Sequence, residues 1–131
     1  MSIQEILTQA KNEKWPYPKT FNALKKMGTE SYKVSFINSY KANYVGTFGT
    51  IQESAPAEYH AMHASEFFNG SAIKTAIVEH GQGKTSYIEF LEEIAAQGVS
   101  HYIVDMFNRT VTYFNKDESH AHVEAVPEWQ G

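Results

Sequence analysis

A chain of 131 residues with 42% apolar and 14% aromatic content can bury one sizeable core, and no segment of it is of low complexity. The absence of cysteine excludes disulfides, thiolate nucleophiles and cysteine-based zinc sites, and it fits a reducing cytoplasm. Net charge is −4, with 8 basic against 6 acidic groups in residues 1–78 and 3 against 9 in residues 79–131, a balance that argues against duplex nucleic acid as the partner.

The opening residues lack a basic leader followed by an apolar run, so no signal peptide is expected. Instead Ser2 and Glu5 make a capping box for a first helix, with Ile3, Ile6, Leu7 and Ala10 at helical spacing. Pro16 and Pro18 in "WPYP" break it, because each proline restricts the residue before it. A second helix follows with Tyr17, Phe21, Leu24 and Met27 on one face, and Gly28 ends it. "SYKVSFI" and "NYVGTF" then read as a pair of strands joined by a loop near Asn38 to Ala42. Residues 54–69 have no clean period and read as either a short helix or a third strand, the strand being favoured. A third helix is predicted over Ser71 to His80, with Ala72, Ile73, Ala76 and Ile77 inward.

The same order then recurs. Ser86 and Glu89 make a second capping box, and Tyr87, Phe90, Leu91, Ile94 and Ala95 form an apolar stripe that ends at Gly98. "SHYIVDMF" and "TVTYF" are strands, with Asn108-Arg109 as a short hairpin turn, although arginine is not a residue such turns favour. "SHAHVEAVPEW" near the end has the same ambiguity between helix and strand, and a last strand is again favoured. At an offset of 70, Tyr17 matches Tyr87, Gly28 matches Gly98, Tyr32 matches Tyr102 and Val34 matches Val104. The expected architecture is therefore α+β: duplicated helix-pair plus β-hairpin units, roughly 1–69 and 70–131, forming one antiparallel sheet covered by helices on one face.

Three constellations invite chemistry. "HGQGKTSY" contains the Gly-Lys-Thr of a nucleotide-phosphate loop, but that motif needs glycine at the position of Val78, and "TAIVEH" before it has helical spacing. The segment therefore reads as an interhelical loop that displays His80 and Gln82. His60 and His63, and His120 and His122, do not have zinc-protease spacing, and the chain is read as carrying no metal and no cofactor. Asp105 shares a strand face with His101 but lies about 13 Å along it, so any acid–base partner must come from elsewhere. His80, His101 and Asp105 are the catalytic candidates, and Gln82, Tyr87, Tyr102 and Tyr113 the binding candidates.

"HGQGKTSYIEF", "AAQGVSHYIVDM" and "VTYF" resemble the YbcV-like group of small bacterial proteins, also labelled phage envelope protein-like. Gln82, Tyr87, Phe90, Gly98, Val99, Tyr102, Val104, Asp105 and Tyr113 take the family's places, as do Glu124 and Pro127 near the end. Lys84-Thr85-Ser86 departs from the family's Thr-Asp before the tyrosine. The resemblance implies a fold and carries no catalytic residues with it.

Two functions compete. The favoured one is a non-catalytic binding or protein-interaction module that uses an open sheet face or an aromatic groove. Its partner would be a small molecule or a protein, and a homodimer is allowed; the uneven charge suits electrostatic pairing. The alternative is a small cytoplasmic hydrolase or isomerase using His80 or His101 with Asp105 and a tyrosine. No apolar stretch approaches the ~20 residues that span a bilayer, so no membrane role is expected.

Overall fold

The computed structural model describes residues 2–130. Side-chain caps set three of the helix starts. Ser2 Oγ accepts the Glu5 backbone N–H while the Glu5 carboxylate accepts that of Ser2, opening α1 (Ile3–Glu13). Ser86 and Glu89 repeat the exchange at α4 (Tyr87–Ala96), and Asn69 caps α3 (Gly70–Gly81) through the Ala72 N–H. Helix α2 (Tyr17–Lys26) takes Pro18 in its first turn, where a missing N–H costs nothing. Gly28 and Gly98 follow the C-caps of α2 and α4 with φ of 108° and 100°.

Six strands make one antiparallel sheet: β1 (Thr29–Ser35), β2 (Lys41–Gly46), β3 (Gly49–Glu53), β4 (His101–Asp105), β5 (Thr110–Phe114) and β6 (Ala121–Ala125). Their order is β3-β2-β1-β4-β5-β6. Each half thus runs helix, helix and a three-stranded meander, and the halves join through their first strands. In that seam Lys33 lies opposite Ile103, its own equivalent at the offset of 70, with Tyr32 opposite Val104 and Val34 opposite Tyr102. This register places a local twofold axis at the Lys33–Ile103 pair.

One sheet face is covered by the helices. Tyr32, Val34, Ala42, Tyr44, Tyr102, Val104, Val111 and Tyr113 point into it and are buried, together with Phe21 and Leu24 from α2 and Leu91 and Ile94 from α4. Each such large side chain contributes about 1.5–3 kcal/mol of burial free energy. The other face has no helix across it. Its central row reads Gln52, Asn43, Lys33, Ile103, Thr112 and Val123 from edge to edge.

Three sequence expectations need correction. Residues 54–69 form no strand; the third strand of the first half is β3, which begins after the two-residue turn Thr47-Phe48. The 54–69 segment is held from outside itself, by Asn38 N–H to the Met62 carbonyl, Ser65 N–H to Ala95 and Asn69 N–H to Gln97. Pro56 and the lack of alternation leave it no ladder to join. Secondly, the first hairpin loop ends before Ala42, which is buried within β2. Thirdly, the second hairpin turn spans Met106–Arg109 rather than two residues, with Arg109 at φ 53°. The guanidinium explains why arginine sits there: it donates to Asn22 Oδ1 (2.9 Å) and the Pro127 carbonyl (2.8 Å) and lies 4.4 Å over the Phe21 ring.

Candidate functional site

The tyrosines form the most connected polar group of the core. Tyr17 and Tyr87 are the first residues of α2 and α4, and each hydroxyl bonds to a tyrosine on the first strand of its own half. Tyr17 meets Tyr32, and Tyr87 meets Tyr102 at 2.7 Å. Tyr40, in the β1–β2 loop, then reaches across to Tyr87 at 3.2 Å and links the halves. Tyr32 stacks on Tyr44 with centroids 4.6 Å apart. Burial pushes the hydroxyls of Tyr32, Tyr44, Tyr87, Tyr102 and Tyr113 above the ordinary phenol range, so each stays protonated.

This packing decides what the binding candidates can do. Tyr102 and Tyr113 are 9% and 7% exposed, and their rings fill the space between helices and sheet. Tyr87 is half-buried, and Gln82 stands exposed at the C-cap of α3. The four do not line a common opening. Two shallow hollows, of about 400 and 380 Å³, lie elsewhere, along α1 and in the groove between α3 and α4.

The catalytic candidates are also separated. The His80 ring stacks on Phe90 at 4.5 Å in the helix layer, its Nδ1 lies 3.1 Å from the Thr85 carbonyl, and burial pulls its pKa down. Asp105 belongs to the opposite, open face. Its Oδ1 accepts the backbone N–H groups of Phe107 (3.0 Å) and Asn108 (3.1 Å), and its Oδ2 accepts the Asn108 amide (2.7 Å). The hydrogen bonds from Asn108, with the one from Phe107, hold its carboxyl below the usual range, and the residue shapes the β4–β5 turn.

His101 does gain partners, but not those expected. Ser100 Oγ lies 2.6 Å from its Nδ1 and Glu118 Oε2 lies 2.7 Å from its Nε2, while the ring stacks on Phe114 at 5.4 Å. Ser100 and His101 are 8% and 7% exposed. Reasoning from the sequence missed Ser100 and Glu118. Ser100 was visible as the neighbour of His101. Glu118 was not, because it reaches the ring from a turn in which its own φ is 62°.

A family model described as "protein of unknown function (DUF1398)" matches residues 4–125. The chain belongs to this family. The DUF1398 region runs from the first turn of α1 to the last residue of β6 and so takes in both halves. No curated protein matches the chain.

The remaining histidines of this DUF1398 chain are dispersed. His60 Nε2 sits 3.5 Å from Glu92 on α4, whereas His122 bonds to Glu124 (2.7 Å), which also takes the Lys74 ammonium (3.0 Å). Among the described residues no three histidine, aspartate or glutamate side chains converge in a way that could hold a metal ion, and no helix is long and apolar enough to cross a membrane.

Proposed function

We propose that this DUF1398 chain is a non-catalytic binding module that takes a partner protein on the open face of its sheet. One observation carries the reading: all four helices lie on one side of six strands, leaving a face with Val45 and Val123 at 41% and 58% exposure around Lys33, Ile103 and Thr112. A flat β surface of this kind suits another sheet or helix layer more than a small molecule, which needs concavity. The groups that would do chemistry at Asp105 and the tyrosines are already spent on turns and on one another. The test is a titration of isotope-labelled protein, followed by amide shifts, with pooled small metabolites in one arm and candidate partner proteins in another. Shifts confined to Lys33, Ile103 and Thr112 with a protein, abolished by Ile103→Glu, are expected. Metabolite shifts at His80, Gln82 and Tyr87 with a silent open face would sink the proposal.

A second reading, an enzyme, rests on the Ser100–His101–Glu118 chain, which has the connectivity of a serine–histidine–acid set. Its difficulty is burial of the serine. Covalent labelling of Ser100 by a fluorophosphonate, lost in His101→Gln, would favour it over the binding module.

The relationship to the YbcV-like, phage envelope protein-like group is part of the proposal. It is supported by the run from Gln82 to Tyr113 and adds no activity. So is an origin by duplication of units near 1–69 and 70–131, supported by the repeated element order and the offset of 70.

A further inference from the structure

Strand β6 lies at one edge of the sheet and pairs on one side only, with β5. Such an edge presents a row of unpaired N–H and C=O groups, which proteins commonly blunt with lysine, proline or a bulge. Ala121-His122-Val123-Glu124-Ala125 contains none of these, and its one carboxylate, Glu124, is on the helix side, where Lys74 and His122 of the same chain partner it. Parity fixes which groups are free. Val126 N–H donates to the Arg109 carbonyl (2.8 Å) and Asn115 N–H to the His120 carbonyl (3.3 Å), so even-numbered positions turn their backbone groups towards β5. Ala121, Val123 and Ala125 turn theirs outward.

We infer that β6 pairs antiparallel with β6 of a second copy of this chain, about a twofold axis at Val123. In that register Val123 faces its own copy and Ala121 faces the second copy's Ala125. Every outward position meets an outward position, and each pair exchanges two hydrogen bonds. On the helix side His122 lies opposite the second copy's Glu124, and Glu124 opposite its His122, a favourable cross-strand match. Other registers lose this. A slip of one residue sets outward groups against inward ones, and a slip of two sets Glu124 against Glu124 or His122 against His122. The opposite edge, β3, has Glu53 as its single charged residue and offers no such self-match. Pairing through β6 continues both sheets into one, whether or not the open face takes a partner.

An edge of five residues buries little area, so the dimer belongs to the weak class. Sedimentation equilibrium of the full chain tests it. A concentration-dependent dimer is expected, with Val123→Lys raising its dissociation constant at least ~10-fold. That side chain is 58% exposed, so the fold is retained. His122→Glu is expected to weaken the dimer and the swap His122→Glu with Glu124→His to restore it. Because the chain has no cysteine, Val123→Cys reports the register: paired Cα atoms about 5.5 Å apart fit a disulfide, so it is expected to cross-link faster than Thr50→Cys on β3. A wild type that stays monomeric up to about 1 mM overturns the inference. So does a dimer that Val123→Lys leaves intact, or equal cross-linking at the two edges.

Discussion

Three hydroxyls in the Tyr40–Tyr87–Tyr102 chain share two hydrogen bonds, which leaves one hydrogen over. Half-buried Tyr40 is the end from which it can reach water. Inside, the hydroxyls favour the neutral form, because a phenolate would sit beside other tyrosines with no cation in contact among the described residues. Burial accordingly raises the pKa of Tyr32, Tyr87 and Tyr102 in the folded state, whereas in the unfolded chain they titrate near the ordinary value of about 10. A raised folded pKa means stability that is intact below pH ~10 and lost as pH rises through it, since only the unfolded state readily gives up these protons. In an alkaline titration the near-ultraviolet absorbance of phenolate from the buried tyrosines is expected to rise together with loss of circular dichroism. Phenolates forming one after another in a protein that keeps its native spectrum would show the hydroxyls to be open to solvent. The pairing of these residues was half legible: the offset of 70 matched Tyr17 with Tyr87 and Tyr32 with Tyr102, and each half repeats the same bond, Tyr17 to Tyr32 in the first and Tyr87 to Tyr102 in the second. What the offset could not convey was that the rings fill the core rather than line a groove.

Helices were more readable than strands because their ends are written in local chemistry. Ser2 with Glu5, Ser86 with Glu89, and the two glycines after α2 and α4 all act within a few residues of their own position. Strand β3 was missed for the opposite reason. It lies at a sheet edge with residues such as Thr50 and Gln52 exposed, and Ile51 is the one large apolar side chain in it, so the period of two barely shows. Residues 54–69 were misread because contacts distant in sequence determine their path. Gly98 shows how closely that path is fitted. At φ 100°, a Cβ there would come within 2.7 Å of the Phe67 carbonyl oxygen and 2.8 Å of the Phe68 Cα, so backbone atoms would have to shift. Gly98→Ala is expected to cost about 1–3 kcal/mol in chemical denaturation. A variant of wild-type stability would mean that the 64–69 segment moves freely off α4.

At the scale of the whole molecule, the helix–strand order, the antiparallel sheet and its single helical cover follow from periodicity and capping, and the seam between halves completes them. Chemistry was less legible than architecture. Asp105, a catalytic candidate on the face it shares with His101, serves its own turn. His101 found its acid in Glu118, which nothing in the spacing singled out.

The seam also has a consequence for the order in which the chain assembles. Every strand pairing except β1–β4 joins strands consecutive in sequence, so each meander closes short loops at little entropic cost. Joining β1 to β4 must instead close the whole stretch from residue 36 to 100. Folding speed falls as such long-range contacts are demanded early. In denaturant-jump kinetics Val34→Ala, at the seam, is therefore expected to slow folding, whereas Thr50→Ala, in the β2–β3 hairpin, mainly accelerates unfolding. The reverse pattern would place the rate-limiting event inside one meander. On this account the pair of strands that unites the halves is also the slow step of the molecule's own making.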